Sequence, residues 1–154
     1  MTTATTGIRY AHTNLIANDW KRLQDFYVEA FGCEPISSER DHTGPTFEAL
    51  TGLPGGSFQG RHLRLPGHGE RGPTLEIFQT NQNDPSLPSR LVRPGFAHLA
   101  FEVPDVAAKR EEMLRLGGRD IGQLVTLDIP GAGKLTVIYM TDPEGNIIEL
   151  QRWH

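Results

Sequence analysis

The sequence predicts an α+β fold made of two copies of one β-α-β-β-β module, and this prediction rests on an internal repeat. Residues 10–32 and 96–118 both open with an aromatic residue followed by Ala and His, carry an Asp seven positions after the His, and close at Gly. Residues 74–79 (TLEIFQ) and 147–152 (IIELQR) also match, since each places one Glu in an apolar run. A repeat of this kind indicates one supersecondary unit used twice.

The two modules are expected at about 8–80 and 95–152, within a single domain that spans 1–154, because 154 residues is the length of one ordinary domain. Residues 80–94 contain three Pro and two Asn without hydrophobic periodicity, so they are predicted to form a linker or surface loop. The glycine-rich stretch 37–60 is either a mobile loop over a site or a plain surface connection.

Short apolar segments bounded by turn residues predict the strands, and apolar residues at helical spacing predict one helix in each module. Asp19 and Asp105 precede the helical segments as candidate N-caps, while Gly32 and Gly117 are the candidate stops. The DPEGN run at 142–146 predicts a hairpin turn. The predicted strands are Ile8–Ile16, Phe47–Leu50, Arg61–Leu65, Thr74–Gln79, Gly95–Glu102, Leu124–Asp128, Leu135–Thr141 and Asn146–Arg152.

Charge and hydropathy exclude several classes of partner. Fifteen Lys and Arg residues against 19 Asp and Glu residues give a net charge of −4, with no long basic run to bind a phosphate backbone. No stretch approaches the roughly 18 consecutive apolar residues of a membrane span, and the N-terminus lacks the basic and apolar regions of a signal peptide. We therefore expect a cytoplasmic protein without nucleic-acid or membrane partners, and the single cysteine, Cys33, suits a reducing compartment.

Two histidines and two glutamates occupy equivalent places in the two copies. His12 corresponds to His98 and Glu76 to Glu149, and each lies in an apolar strand, where an ionisable side chain is costly to bury unless paired or metal-bound. If the first and last strands of both modules face one cavity, two imidazoles and two carboxylates converge there. Such a donor set can bind a divalent transition ion and leave positions for water or substrate.

Taken singly, each of these residues is better explained without a metal, as a hydrogen-bonded strand histidine or a glutamate that faces water. Their recurrence in register is what favours a metal site. His62 has no matching histidine in the second module, so it is either a lining or surface residue of the sheet or a polar group in the substrate pocket. The remaining histidines, in loops or at the C-terminus, are His42, His68 and His154.

Several motifs carry a family resemblance: FYVEAFG at 26–32, GFAHLAFEV at 95–103, the LEIF strand ending and the closing DPEGNIIEL at 142–150. Together with the duplicated module, they resemble the vicinal oxygen chelate superfamily, which includes glyoxalase I, methylmalonyl-CoA epimerase, fosfomycin-resistance proteins, extradiol dioxygenases and bleomycin-resistance proteins. The resemblance implies an open, cupped mixed sheet. It also implies four metal ligands, which carry over to His12, Glu76, His98 and Glu149.

The resemblance implies a style of chemistry. One divalent ion per site (Ni, Co, Zn, Mn or Fe) would stabilise an enediolate of a small oxygen-bearing metabolite, as in a glyoxalase-like lyase or an isomerase/epimerase. Glu149 is the expected base and Glu76 its partner, although the repeat also permits the reverse. Two carboxylates favour this branch over an Fe(II)-dependent extradiol-type dioxygenase, which uses two His and one carboxylate. A complete ligand set also argues against a non-catalytic drug-binding or resistance protein.

A homodimer that takes a small-molecule substrate is the expected assembly, because an open sheet leaves edges that need covering. The modules pair either within one chain or between two chains. Strand alternation would turn a further set of side chains into the cavity, although core packing explains several of them equally well. This set is Tyr10, Asn14, Phe78, Phe96, Tyr139 and Met140.

Overall fold

The computed structural model describes residues 7–84 and 87–154, which divide between Asn83 and Asp84 into two compact units. Each unit contains one five-stranded mixed sheet with a helix after its first strand. This is the predicted α+β arrangement of two tandem βαβββ modules, in which one edge strand of each sheet is split into two short pieces. That both units belong to one domain stays a prediction.

The elements of the first unit are β1 His12–Ile16, α1 Trp20–Phe31, β2 Glu34–Pro35, β3 Arg40–His42, α2 Pro45–Thr51, β4 Phe58–Arg64 and β5 Thr74–Thr80. Its strand order is β1-β5-β4-β2, and β3 also pairs with β4. β1 runs parallel to β5, whereas the other pairs are antiparallel.

The elements of the second unit are β6 His98–Glu102, α3 Val106–Arg115, β7 Arg119–Asp120, β8 Val125–Ile129, β9 Gly133–Thr141 and β10 Ile147–Trp153. They repeat the topology of the first unit with the order β6-β10-β9-β7, and β8 also pairs with β9. β6 runs parallel to β10, and the remaining pairs are antiparallel.

A side-chain cap and a left-handed glycine define where α1 begins and ends. The Asp19 carboxylate accepts a hydrogen bond of 3.1 Å from the backbone N–H of Arg22. Gly32 ends the helix with a φ of 67°, a left-handed conformation that glycine adopts without steric cost. Both predicted ends are confirmed.

The helix α3 uses the same device at its start, where the Asp105 carboxylate accepts from the N–H of Ala108 at 2.9 Å. The helix ends at the cap residue Leu116, and Gly117 follows with a φ of 96°. The predicted N-cap is therefore confirmed, and the predicted glycine lies one position beyond the C-cap.

The helices α1 and α3 each cover one face of the sheet in their own unit. α1 packs against β4 and β5, where Leu63, Leu75 and Ile77 are fully buried. Because successive side chains of a strand alternate between faces, His62 and Glu76 lie on the opposite face. In the second unit α3 packs against β9 and β10, and the fully or almost fully buried residues beneath it are Ile138, Met140, Ile148 and Leu150.

One predicted strand is absent, and others begin or end at different residues, since Arg61–Leu65 is observed as Phe58–Arg64 and Gly95–Glu102 as His98–Glu102. Residues 47–50 belong to the helix α2, so the predicted strand there is wrong. Pro45 takes the first helical position, where its missing N–H is not needed, and Gly52 ends the helix with a φ of 69°. The first strand begins at His12 rather than Ile8.

The DPEGN turn joins β9 to β10 as predicted. Asp142 is fully buried, and its Oδ1 accepts from the backbone N–H of Glu144 at 2.9 Å and of Asn146 at 3.0 Å. Its Oδ2 accepts from the side-chain amide of Asn146 at 2.7 Å. A buried carboxylate is tolerated here because its acceptor sites are occupied.

Residues 81–84 and 87–94 of the predicted linker form neither helix nor strand, and residues 85–86 of that linker lie outside the described part of the chain. Among the helices in the described residues, none combines the length and the hydropathy required to span a membrane.

Cys33 lies just after α1 and is 1% exposed. Burial raises the pKa of its thiol to about 12, because the thiolate would lose its hydration. The reactive form of this side chain is therefore suppressed at neutral pH.

Candidate functional site

In the first unit, the strand register surrounds Glu76 with polar side chains. Glu76 on β5 is paired with Asn14 of β1 on one side and with His62 of β4 on the other. Asn14 Nδ2 donates to Glu76 Oε1 at 2.9 Å, and His12 Nε2 lies 3.7 Å from the same oxygen. His62 Nε2 lies 2.6 Å from Glu76 Oε2. Both oxygens of this carboxylate therefore have a partner.

His62 is itself held in place. Its Nδ1 lies 2.8 Å from the hydroxyl of Thr74, the residue two positions before Glu76 on β5. Burial lowers the pKa of His62, helped by the charges of His12 and Arg40, while Glu76 opposes the shift. An ionised carboxylate only accepts hydrogen bonds, so His62 Nε2 is the donor to Glu76.

In the second unit, the equivalent carboxylate has a different set of neighbours. Glu149 on β10 is paired with Ala100 of β6 and with Tyr139 of β9. His98 Nε2 lies 3.2 Å from Glu149 Oε2, and the ring of His98 packs edge-on against that of Tyr139 at 5.1 Å. The Tyr139 hydroxyl donates to Glu149, and this hydrogen bond, more than burial or charge, raises the pKa of Tyr139.

Each unit thus brings together one predicted His–Glu pair. The carboxylates are largely buried, with 14% of the Glu76 side chain and 13% of the Glu149 side chain exposed, whereas His12 and His98 are 42% and 31% exposed. Over the ranges 7–84 and 87–154, no three or more His, Cys, Asp or Glu side chains are grouped so as to hold a metal ion. Their roles as ligands stay predictions.

The donor spacing within each pair suits a shared ion. Two ligands about 2.1 Å from one ion lie about 3.0 to 3.4 Å apart, depending on whether the geometry is octahedral or tetrahedral. The His98–Glu149 separation of 3.2 Å falls inside this interval, and the His12–Glu76 separation of 3.7 Å lies slightly outside it. Each unit supplies one imidazole and one carboxylate.

Of the other predicted lining residues, Asn14 and Tyr139 contact the site carboxylates directly. Met140 is wrong as a lining residue, because it lies fully buried on the face covered by α3. Phe78 shares the face of Glu76 but is only 8% exposed, and it packs edge-on against His42 and Phe58. Tyr10 and Phe96 are exposed.

The contact between His62 and Glu76 is the site feature that sequence reasoning did not identify. A search for a matching histidine in the second module finds none, because the equivalent position on β9 holds Tyr139. The signal that could have found this contact is the position in the sheet. His62 and Tyr139 each lie directly across from one of the duplicated glutamates, whatever their residue type.

Comparisons with known proteins agree with this architecture. A family model described as the Glyoxalase/Bleomycin resistance protein/Dioxygenase superfamily matches residues 9–150. No curated protein matches the sequence.

Solved structures of this family share the fold at low sequence identity. A glyoxalase family protein from Bacillus cereus is similar with a TM-score of 0.79 at 15% identity, over 99% of this chain and 98% of that one. A glyoxylase/bleomycin resistance protein/dioxygenase domain from Frankia sp. EAN1pec gives 0.61 at 19% identity, over 98% and 100%. A glyoxalase/bleomycin resistance protein from Albidiferax ferrireducens T118 gives 0.58 at 18% identity, over 93% and 98%.

The repeated module, its strand topology and a family match over nearly the whole chain lead to the same conclusion. The chain belongs to the glyoxalase/bleomycin resistance protein/dioxygenase superfamily, the family that its sequence motifs resemble.

Proposed function

We propose that the protein is a metal-dependent lyase or isomerase/epimerase of the glyoxalase type, acting on a small oxygen-bearing metabolite. The observation that carries this proposal is the recurrence of one His–Glu pair, at the same strand register, in both units. Hydrophobic strands place few ionisable side chains at matched positions without a function for them. The proposed ligands are His12, Glu76, His98 and Glu149.

Two imidazoles and two carboxylates suit a divalent transition ion such as Ni, Co, Zn, Mn or Fe. When bound, the ion would stabilise negative charge that develops on substrate oxygens. These four ligands would leave positions on such an ion for substrate oxygens.

We assign the proton transfer to Glu149. Its carboxylate takes the proton from the carbon beside a substrate carbonyl, and the electron pair of that C–H bond moves into the carbonyl. The proton then returns to the same carbon or to its neighbour. Glu76 is less suited to this step, because nitrogen donors from both neighbouring strands, Asn14 and His62, occupy its two oxygens, whereas of the residues paired with Glu149 only Tyr139 supplies a side-chain donor.

The metal content of the purified protein tests this proposal. We expect close to one Ni, Co, Zn or Mn per chain by inductively coupled plasma mass spectrometry, and loss of that metal in His98→Ala with the fold retained. His68→Ala is the matched control, because His68 is an exposed loop histidine. Stoichiometric metal in His98→Ala would contradict the site assignment, and iron would favour a dioxygenase.

A non-catalytic small-molecule binder is the second candidate. It is favoured by the lack, in the described part of the chain, of a preassembled group of three metal donors. Protein that takes up no metal even after reconstitution would support this candidate. Metal-loaded protein that exchanges solvent deuterium into a carbonyl compound or a thiol adduct, followed by NMR, would exclude it.

A further inference from the structure

The two site carboxylates occupy equivalent positions in the repeat but face different residues across the sheet. On β4 the residue opposite Glu76 is His62, and on β9 the residue opposite Glu149 is Tyr139. The other neighbour of Glu76 is Asn14, a hydrogen-bond donor, whereas that of Glu149 is Ala100. Only the first carboxylate is therefore flanked by nitrogen donors on both neighbouring strands.

His62 forms the middle of a chain of three side chains. Its Nδ1 is hydrogen-bonded to the Thr74 hydroxyl at 2.8 Å, and its Nε2 donates to Glu76 Oε2 across 2.6 Å. Thr74 and Glu76 lie two residues apart on β5, so one strand holds both ends of the chain. With Oε2 engaged by His62, the other oxygen, Oε1, accepts from Asn14 at 2.9 Å and is the one that lies near His12.

We propose that His62 is a positioning residue, which fixes the carboxylate of Glu76 with Oε1 directed towards His12 so that this pair can receive the ion. This inference rests on the proposed metal-dependent function. A hydrogen-bond partner behind a metal ligand orients the ligand and reduces the entropy that it loses on binding.

The geometry distinguishes this role from direct ligation. Donor atoms from two residues on one ion lie about 3.0 to 3.4 Å apart. The 2.6 Å between His62 Nε2 and Glu76 Oε2 is shorter than this and lies within hydrogen-bonding distance. His62 therefore acts on the ligand and not on the ion.

Two substitutions at this position separate the two ends of the chain. In His62→Gln the side-chain amide lies near the place of Nε2 and can still donate to Glu76. In His62→Asn the shorter side chain reaches only the place of Nδ1, so the contact with Thr74 is available and that with Glu76 is lost. Thr74→Val, close to isosteric, removes the hydroxyl that holds the ring and leaves the imidazole in place.

The experiment is a Co(II) titration of the metal-free full-length protein, followed by visible absorption and by competition with a chelating dye. We expect His62→Gln to bind Co(II) within a few-fold of the unmodified protein, with the same absorption spectrum. His62→Asn should bind about 10- to 100-fold more weakly, and Thr74→Val should show a smaller loss. His68→Asn, at an exposed loop position, is the control and should bind normally.

Two results would overturn the inference. Unchanged affinity in both His62→Asn and Thr74→Val would show that the chain of hydrogen bonds does not act on the site. Equal losses in His62→Gln and His62→Asn, with an altered Co(II) spectrum in both, would show that His62 ligates the ion. Unmodified protein that binds no Co(II) would instead contradict the proposed function itself. Thermal unfolding of the metal-free variants identifies any that fail to fold, and Thr74→Val then carries the test.

Discussion

The two units share a backbone plan and a His–Glu pair, yet the surroundings of the pair differ. In the first unit the carboxylate is flanked by an amide and an imidazole, and in the second by a methyl group and a phenol. The comparison teaches that the repeat preserves the His–Glu pair while the neighbours of the pair diverge. In the proposed function the two equivalent glutamates therefore take different tasks, Glu76 as an anchored ligand and Glu149 as a ligand that also moves a proton.

The largest effect, on kcat, should come from replacing the site glutamates Glu149 and Glu76 in turn by glutamine. Glu149→Gln should lower kcat by about 10²- to 10⁴-fold at saturating metal, because an amide cannot accept the substrate proton. Glu76→Gln should mainly weaken metal binding and lose less kcat once metal is saturating. Both values are measured with the best substrate from an isomerase and thiol-adduct lyase screen. A larger kcat loss in Glu76→Gln would reverse the assignment.

The two units also differ in the space that β4 and its counterpart β9 leave for a side chain at one equivalent position. Gly60 on β4 is paired with Phe78, and a Cβ at Gly60 would collide with the backbone oxygen of Ile77 and with the Phe78 ring. The corresponding position of the second unit holds Val137, opposite Gln151. Only the first unit therefore requires glycine there.

We expect Gly60→Ala to lower the free energy of unfolding by about 1 to 3 kcal/mol, because the added methyl group overpacks the sheet. Urea denaturation measures the loss. Gly122→Ala is the matched control in the second unit, since nothing lies within 4 Å of its Cβ position and its φ is not positive. Equal stability of Gly60→Ala and Gly122→Ala would contradict the packing argument.

The smallest effect, on stability, should come from the helix N-caps that the two units have in common. Asp19→Ala and Asp105→Ala should each cost about 1 kcal/mol of stability, because both remove the side-chain acceptor at a helix N-terminus. Asp19→Asn and Asp105→Asn keep an acceptor and should cost less. A loss at only one of the two positions, measured by thermal unfolding, would show that the two helices depend on their caps differently.

Much of this architecture could be predicted from the sequence because the repeated elements occur twice, so that each copy supports the prediction made for the other. The helix caps and the two His–Glu pairs recur at fixed spacing, and strand register brings each pair together. The ligand roles, a homodimer and a cytoplasmic location stay predictions. They depend on an ion, a second chain and a cell compartment, none of which local sequence patterns specify.

Elements present in only one unit were harder to predict. Residues 45–51 have no counterpart in the repeat, and an aromatic segment there suggested a strand. The helix α2 forms instead, because Pro45 and Gly52 suit its ends and Phe47 stacks on the ring of His42 at 5.4 Å. The contact between His62 and Glu76 was not predicted for a related reason. The register of β4 against β5 is set by pairing across the sheet, and spacing along the chain does not specify it.

The buried thiol of Cys33 has a practical consequence. It is the single cysteine in the sequence, and with a pKa of about 12 only on the order of one thiol in 10⁵ is ionised at pH 7. Maleimide and methanethiosulfonate reagents should therefore leave the native protein unlabelled. Cysteines introduced at exposed positions, such as Lys21 in one unit and Gln123 in the other, would carry paired spin labels or fluorophores without background. The unmodified protein is already a suitable host for distance measurements in solution.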